Sequence, residues 1–302
     1  MKKISVIILS YNSGEMLFET IDSVLKQNFE KIEIIIADDH SDLFDESAVI
    51  SYINTNKKDK NVECVIFKND VNLGTVKNLN KALNIASGDY IKIIAGDDIY
   101  PNNDIFNAHV SLLEENPNSY FAVGDIVQCD SQMKPMQTLG FFNHKINLSS
   151  NPLSKKDIKR LIRFYPYLLA TQAITFRKKF FEDYGLYNEN YKLVEDLSFL
   201  IKVIDQNTPY SYLHIESVCH RNDSGVSSNK SSHFNVKKIN YYQDILNYYI
   251  WELSRYKKVV GRFFYFVKKS MAKFRIEYTK TKSKKLIFKY SPIFFFSLFL
   301  RK

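Results

Sequence analysis

Residues 72–98 read NLGTVKNLNKALNIASGDYIKIIAGDD, and this stretch decides the fold. Over 75–86 the apolar side chains recur at helical spacing, which predicts an amphipathic helix. The apolar run YIKIIA at 90–95 then predicts a strand that is buried in a parallel sheet. An aspartate doublet, Asp97-Asp98, stands directly behind that strand. The stretch is therefore a helix, a buried strand and a pair of acids.

The same pattern occurs closer to the N-terminus. A second apolar run, IEIIIA at 32–37, is followed by a second doublet, Asp38-Asp39. Adjacent carboxylates repel one another and are costly to bury without a partner. Open α/β sheets bind ligands at the carboxyl ends of their strands, so we expect both doublets to meet a divalent cation and the polar edges of a nucleotide. Further strands and helices are predicted at 4–9, 16–27, 45–54 and 62–67.

The order of these elements predicts the fold class. Strand and helix alternate over residues 1–100, which indicates an α/β protein with a mostly parallel sheet and flanking helices. Residues 101–232 mix helices, strands and long loops, and residues 233–302 read as amphipathic helices. The elements predicted after residue 100 are helices at 102–115, 154–164 and 194–205, strands at 120–127, 173–176 and 210–218, and loops at 129–153 and 222–232.

Charge is distributed unevenly along the chain. The formal net charge is +9, and the excess of Lys and Arg lies in residues 233–302, so that residues 1–232 are mildly acidic. A basic tail with interleaved aromatic residues fits helices packed on the body, a nucleic-acid contact or an anionic membrane surface. The apolar end SPIFFFSLFLRK at 291–302 favours the membrane. We expect a cytoplasmic protein that is peripheral on the inner face of the plasma membrane and binds no nucleic acid.

Several chemistries lack their usual signals in this sequence. Neither GxGxxG nor GxxxxGK[ST] occurs, which removes the main support for a dinucleotide-binding or P-loop fold. A GxSxG nucleophile elbow and paired histidines are absent as well. The three scattered cysteines, Cys64, Cys129 and Cys219, are expected to be buried free thiols in a reducing compartment. No apolar run reaches the length of a membrane-spanning helix.

Four blocks of sequence together resemble a known family. They are SVIILSYN (5–12), ADDHSD (37–42), the stretch 72–98 quoted above, and LYNENYKLVEDLSFL (186–200). In this order and spacing they are similar to the inverting family 2 glycosyltransferases of the GT-A fold. The resemblance covers about residues 3–230 and does not include the basic tail. It implies that 1–100 and 101–232 are the nucleotide-sugar-binding and acceptor-binding halves of one GT-A domain.

The resemblance implies roles for residues around the first doublet. Asp39 matches the family position that accepts the imide N–H of the uracil base, and Tyr11 matches the residue that flanks this base. Asp38 is expected to support the turn by binding its amides. Lys77 lies where the family often has a basic residue near the donor, although a solvated helix lysine is the alternative.

The metal motif departs from the family pattern. The D-x-D motif reads Ala95-Gly96-Asp97 here, so the first carboxylate is missing. The resemblance assigns metal binding to Asp97, with Asp98 as a ligand or a supporting acceptor. Carboxylate and diphosphate oxygens suit a hard cation, so Mn²⁺ or Mg²⁺ is the expected cofactor.

The resemblance also names the groups expected to act on the acceptor and the diphosphate. Glu195-Asp196 matches the family's acidic pair, in which the aspartate is the general base and the glutamate supports it. A base is required because a sugar hydroxyl is a poor nucleophile until its proton is removed. His220 and Arg221 match a loop that folds over the diphosphate, and the register leaves open which of them carries the cationic role.

The activity implied is transfer of a sugar from a nucleotide-diphosphate donor, for which we expect a UDP-sugar, to a hydroxyl of a glycan or lipid-linked saccharide. Two other classes compete with this interpretation. A nucleotidyltransferase that makes activated sugars would usually carry a Gly/Arg/Lys-rich phosphate loop near the N-terminus, and residues 9–14 offer none. A nucleic-acid-binding protein would act through the tail and show an affinity that falls steeply with salt.

Overall fold

An eight-stranded mixed sheet forms the centre of the protein in this computed structural model. The structure describes residues 2–58, 60–139, 170–222 and 234–282, and isolated positions at 154, 156, 159, 285, 286, 289, 290 and 293. The strands are β1 (Lys3–Ser10), β2 (Lys31–Asp38), β3 (Asn61–Lys68), β4 (Tyr90–Ala95), β5 (Phe121–Cys129), β6 (Pro135–Leu139), β7 (Ile174–Arg177) and β8 (Tyr210–Arg221).

Strand order brings the two acidic doublets to one edge. The sheet runs β3-β2-β1-β4-β7-β5-β6, and β8 lies beside β5. Strand β1 is parallel to both β2 and β4, with Ser10 opposite Asp38 and Leu9 opposite Ala95. Because these three strands end at the same level, the residues that follow them lie together. The α/β class with a largely parallel sheet is confirmed, although β7 is antiparallel to both of its neighbours.

Helices cover the sheet and continue beyond it. Short 3₁₀ turns cover Thr171–Ala173 and Leu253–Tyr256, and a π-helical turn covers Tyr248–Glu252. The α-helices are α1 (Met16–Leu25), α2 (Glu46–Asn56), α3 (Thr75–Ile85), α4 (Ile105–Glu115), α5 (Lys179–Tyr184), α6 (Glu195–Asp205), α7 (Phe234–Asn247), α8 (Lys257–Val260) and α9 (Arg262–Thr281).

The core lies on both faces of the inner strands. The apolar side chains of β1, β2 and β4 are buried almost throughout, as expected for strands covered on two faces. Strand β3 is the edge strand, and its side chains are all exposed or half-buried. Cys64 lies on β3 and is exposed, so the expectation of three buried thiols is wrong for this residue. An edge strand lacks a neighbour that would cover its outer side.

Two elements differ from the sequence-based expectation. Strand β8 continues to Arg221, so His220 and Arg221 lie at the end of a strand rather than in a loop. The reason is the parallel partner: Gln128 pairs with His220 and Cys129 with Arg221. Part of the expected loop at 129–153 forms β6, a hairpin partner of β5. Most of the predicted helix at 154–164 and of the loop at 222–232 lies outside the described residues.

The first of the C-terminal helices pack on the body that the sheet forms. Tyr248, Leu253, Val260 and Phe264 are buried and belong to the same hydrophobic cluster as the sheet. Helices α7 and α9 pack on each other through a second cluster that includes Leu246 and Ile276. A helical C-terminal extension is thus confirmed, and its first part is packed on the body. Within the described residues, no helix combines the length and apolar character needed to cross a membrane.

Candidate active site

The turns after β1 and β2 are fastened to each other by short polar side chains. Asp38 is fully buried, and its carboxylate accepts hydrogen bonds from the backbone N–H of Ser41 at 2.8 Å and from the Ser41 hydroxyl. That hydroxyl oxygen also accepts the backbone N–H of Asn12 at 2.8 Å. The Asn12 side chain accepts the backbone N–H of Asp42 at 2.9 Å. Half-buried Tyr11 lies within this fixed pair of turns.

Asp39 binds the loop that leads into α3. Its Oδ1 accepts the backbone N–H of Leu73 at 2.7 Å and the side-chain amide of Asn69 at 3.1 Å, and its Oδ2 accepts the backbone N–H of Gly74 at 2.8 Å. Gly74 has a φ of +88°, a conformation that favours glycine. A carboxylate offers about four acceptor directions. These three bonds therefore leave Asp39 the capacity to accept a further N–H from a ligand.

Asp98 joins the ends of β4 and β8. It is fully buried, and its Oδ1 accepts the backbone N–H of Arg221 at 3.0 Å. The His220 ring Nδ1 lies 3.1 Å from the same oxygen, and the Gln172 side-chain amide lies 3.4 Å from Oδ2. Three partners from two parts of the chain favour a supporting role for this carboxylate over that of an open metal ligand.

Arg221 is part of the framework at this edge. The side chain is buried, and its guanidinium donates to the backbone oxygens of Asp97, at 3.0 Å, and of Ser131. It also forms an ion pair with Glu19 of α1 at 2.5 Å. These contacts tie α1, β8 and the turn after β4 together. The geometry gives Arg221 a positioning role.

His220 has more open surroundings than Arg221. Its side chain is 28% exposed, and its Nδ1 faces Asp98. Burial works to lower the pKa of His220, but the hydrogen bond and charge of Asp98, together with the charge of Asp97, outweigh burial and raise this pKa above its usual value. Of the two basic residues, His220 is the one that is partly exposed, and Asp98 and Asp97 favour its protonated form.

The 3₁₀ turn at Thr171–Ala173 connects the two acidic groups of the site. On one side Gln172 reaches Asp98. On the other side Thr171 lies beside Glu195, the first residue of α6. Burial and the charge of neighbouring Asp196 raise the pKa of Glu195 above that of a free glutamate. The acids after β4 and the acids that begin α6 thus lie on either side of a single turn.

A buried lysine supports this turn from below. Lys92 of β4 is fully buried, and its ammonium group donates to the backbone oxygens of Gln172 at 3.3 Å and Ile174 at 3.4 Å. It also lies 5.4 Å from the ring centroid of Tyr100. Burial lowers the pKa of Lys92 to about 7. Lys92 of β4 thus binds backbone oxygens in and next to this turn, while the side chains of the turn lie against Asp98 and Glu195.

The remaining predicted residues differ in their exposure. Asp97 is half-buried at the end of the turn after β4. Asp196 is half-buried, and its Oδ1 accepts the backbone N–H of Leu197 at 2.8 Å. Lys77 is exposed on α3, which suits the solvated alternative as well as a flexible phosphate contact. The structure brings His220 together with Asp98 and Asp97.

The acids after β4 fit a hard divalent cation whose coordination is completed by a second ligand. Across the described residues, no group of three or more His, Cys, Asp or Glu side chains could hold a metal on its own. Asp97 offers a carboxylate that is not fully buried, with Asp98 directly behind it. Oxygen donors of this kind suit Mg²⁺ or Mn²⁺, and phosphate oxygens commonly complete such sites. The residues present therefore fit the expected metal.

Some residues of the site gave no signal in the sequence. Gln172 stands in a stretch without a motif. Asp244, whose carboxylate accepts the backbone N–H groups of Lys192 and Leu193 shortly before α6, stands in the tail, outside the family resemblance. Glu19 is a polar residue of the amphipathic helix predicted at 16–27 and belongs to no motif. Asn69 lies three positions before the NLG block, and this closeness to a motif could have marked it as a site residue. These residues reach the site through tertiary contacts, which local patterns do not report.

Comparison with known proteins agrees with this architecture. The sequence profile of the family described as "Glycosyl transferase family 2" matches residues 5–185. An uncharacterized glycosyltransferase of Haemophilus influenzae is 26% identical over 261 residues, which is 85% of this chain and 77% of that protein. The UDP-Glc:alpha-D-GlcNAc-diphosphoundecaprenol beta-1,3-glucosyltransferase WfaP of Escherichia coli is 37% identical over 109 residues, 35% of this chain and 40% of WfaP.

Two solved structures share the fold. S. aureus TarS 1-349 aligns over 97% of this chain and 77% of its own length, with a TM-score of 0.60 and 18% identity. TarS 1-349 has also been solved in complex with UDP and with UDP-GlcNAc. The mannosyltransferase PcManGT from Pyrobaculum calidifontis, in complex with GDP-Man and Mn²⁺, aligns over 98% of this chain and 81% of its own length, with a TM-score of 0.60 and 13% identity. The chain belongs to glycosyl transferase family 2 and has the GT-A fold.

Proposed function

We propose that this protein is a metal-dependent inverting glycosyltransferase of cell-surface polysaccharide synthesis. It transfers a sugar from a UDP-sugar to a hydroxyl of a glycan or lipid-linked glycan. The observation that carries this proposal is the turn at Thr171–Ala173, because Gln172 contacts Asp98 while Thr171 lies beside Glu195. The acids proposed to act on the donor diphosphate and on the acceptor hydroxyl are thereby brought to one site.

Asp196 is the proposed general base. It removes the proton of the acceptor hydroxyl as that oxygen bonds to the anomeric carbon and the bond to the diphosphate breaks, which inverts the anomeric centre. Its position in the first turn of α6 favours a carboxylate through the helix dipole. The raised pKa of Glu195 keeps that neighbour largely protonated near neutral pH. Burial and the charge of Asp196 thus favour the neutral form of Glu195, and Asp196 is the member of the pair proposed to accept the proton.

The donor diphosphate is proposed to bind between Asp97 and His220. Asp97, supported by Asp98, would hold the divalent cation, which supplies positive charge for the departing diphosphate when bound. His220 is the proposed direct contact of the basic pair, because its ring is partly exposed, whereas the Arg221 guanidinium is buried and already bonded. Lys77, which is exposed on α3, is a weaker candidate for contact with the same phosphates.

A uracil base is proposed to bind at Asp39. A fixed carboxylate with spare acceptor capacity suits the imide N–H of uracil and disfavours a base with an acceptor at that position. Tyr11 would flank the base. The UDP and UDP-GlcNAc complexes of TarS and the UDP-Glc-dependent activity for which WfaP is named support a UDP donor. The GDP-Man complex of PcManGT makes a guanine donor the alternative to test.

Binding and turnover separate these roles experimentally. A panel of UDP- and GDP-sugars with Mn²⁺ or Mg²⁺ is screened by thermal shift and by slow donor hydrolysis. Asp97→Asn should lose the metal-dependent stabilisation by UDP, and Asp196→Asn should keep UDP binding but lose transfer. Asp70→Asn, an exposed residue of the loop before α3, is the control. Near wild-type transfer by Asp196→Asn would refute the assignment of the base.

A lipid-linked acceptor and a peripheral membrane location are the finer part of the proposal. WfaP is named for an acceptor that is a sugar linked to diphosphoundecaprenol. In the described part of the tail, Phe266 of α9 is 58% exposed beside exposed Arg262, and Lys257 and Lys258 are exposed as well. Such an aromatic and cationic surface suits anionic headgroups. Removal of 286–302, or Phe266→Ser, should lower sedimentation with vesicles containing phosphatidylglycerol, and unchanged sedimentation of both variants would defeat the membrane contact.

A further inference from the structure

Asp244 places a buried carboxylate from the C-terminal extension against the loop that leads into α6. The residue lies on α7 and is 4% exposed. Its Oδ2 accepts the backbone N–H of Lys192 at 2.9 Å and that of Leu193 at 2.7 Å. A single oxygen therefore fixes two successive amides, and α6 begins two residues later at Glu195.

Helix α6 has no N-cap side chain that would fix the chain as it enters the helix. Val194 stands at its N-cap position and makes no side-chain hydrogen bond to the first turn. Helices usually fix their entry with a side chain from the preceding residue. Here the chain before the helix is held by Asp244, about fifty residues away in sequence.

The far side of the same loop contacts the donor-binding loop. The backbone oxygen of Lys192 accepts the N–H of Val76 at 3.2 Å, and Lys192 packs directly on Gly74. Gly74 is one of the residues whose N–H binds Asp39. The loop at 192–193 is thus held between Asp244 on one side and the Asp39 site on the other.

The residues that follow Asp244 extend this contact. Trp251 lies edge-on to the ring of Tyr191, with 5.8 Å between ring centroids. Tyr248 is buried at the start of the π-helical turn, close enough to Asp196 for that carboxylate to help raise its pKa, although burial is the main cause. π-helical turns are rare and often occur at functional sites. The C-terminal segment therefore contacts the loop that leads into α6 at Tyr191 as well as at Lys192 and Leu193.

We propose that Asp244 is a positioning residue for the transfer reaction. Its carboxylate, carried by the C-terminal extension, fixes the backbone of Lys192 and Leu193 and thereby aims Asp196 at the acceptor. The inference rests on the proposed function, in which Asp196 is the base. It makes α7 a required part of the catalytic centre, whereas the family profile ends at residue 185.

The test compares Asp244→Asn with a control at the other end of α6. Asp205 also joins α6 to the C-terminal extension, through Arg255 at 2.9 Å, but it lies at the last residue of the helix. For each full-length variant we measure the melting temperature, the UDP affinity, and kcat and KM across pH. Asp244→Asn should lower kcat at least tenfold, leave UDP affinity within threefold, and shift the acidic limb of the kcat profile. Asp205→Asn should lower the melting temperature without changing kcat.

Two results would overturn the inference. The first is a folded Asp244→Asn protein with wild-type kcat and an unchanged pH profile. The second is an equal loss of kcat in both variants, because that would mean that attachment of the extension matters and the loop does not. Full activity of Asp196→Asn would refute the proposed base itself, whatever Asp244→Asn does, so the two failures are distinguishable.

Discussion

Gly74 lies so close to Lys192 that no side chain fits between them. A Cβ built on Gly74 would lie 2.5 Å from Lys192 Cγ and 2.7 Å from the Lys192 backbone oxygen. The same glycine donates its N–H to Asp39. The loop proposed to bind the nucleotide base therefore contacts the loop that leads to the proposed catalytic base, at Gly74 and again at Val76.

Replacement of Gly74 by alanine should damage nucleotide binding more than its conformational cost explains. Gly74 combines a φ of 88° with a ψ of 162°, a conformation that costs an L-residue about 1–3 kcal/mol, and the new methyl group must also displace Lys192. We expect UDP affinity, measured by calorimetry, to fall about tenfold, which corresponds to about 1.4 kcal/mol. Gly185→Ala is the matched control, because Gly185 has a φ of +72° but nothing within 4 Å of its built Cβ. Equal UDP affinities of the two variants would contradict this prediction.

Glu33 should make the protein sensitive to acid. The residue is buried on β2, and burial alone would raise its pKa, but hydrogen bonds from Ser5, Ser87 and Lys3 lower that pKa to about 2. A carboxyl group with a depressed native pKa stabilises the fold above its unfolded pKa, and this stabilisation is lost as the pH falls from about 4.5 toward 2. The difference corresponds to about 3 kcal/mol.

The measurement for Glu33 is the free energy of unfolding in urea between pH 7 and pH 3. Glu33→Gln should reduce stability by about 2–3 kcal/mol at pH 7 and by much less at pH 3. Glu115→Gln, at the exposed end of α4, should have little effect at either pH. A destabilisation by Glu33→Gln that is the same at both values would mean that packing, and not the charge, accounts for the loss.

Lys92 is predicted to lower stability at neutral pH. Because burial lowers its native pKa to about 7, the cost of holding the charge inside is fully present below pH 7 and disappears as the pH rises toward 10.5. Lys92→Met has a similar volume and removes this cost. We expect a gain of about 1–2 kcal/mol at pH 7 that shrinks by pH 10, measured by urea unfolding. Destabilisation at pH 7 would show that the bonds to the Gln172 and Ile174 carbonyls outweigh the buried charge.

The first hundred residues were predictable because local pattern and tertiary environment agree there. The buried runs at 32–37 and 90–95 formed strands β2 and β4, and the doublets after them lie at one edge of the sheet. Parallel strands covered on both faces leave short, nearly continuous apolar runs, and the six-residue length of each run favours a strand over a helix. The class of fold follows from that signal.

The second half of the site was less predictable because it depends on contacts between distant segments. Strand β8 continues through His220 and Arg221 because β5 provides a partner, and no periodicity in a polar stretch reports that partner. Gln172 and Asp244 are single polar residues whose partners lie 74 and about fifty positions away. The basic charge of the tail suggested a surface role and concealed the fact that its first helix packs on the body.

Asp39→Asn should weaken both the donor loop and the selectivity for the base. The carboxylate accepts bonds from Leu73, Gly74 and Asn69, so an amide group would turn an NH₂ toward at least one of these donors. A buried donor facing a donor costs about 1–3 kcal/mol. We expect a lower melting temperature, a UDP affinity reduced at least tenfold, and a smaller preference for UDP over GDP, measured by calorimetry with both nucleotides. Asp70→Asn, one residue after Asn69 and exposed, should change none of these quantities. If Asp39→Asn lost stability but kept its full preference for UDP, the carboxylate would be a loop anchor only, and another residue would have to recognise the base.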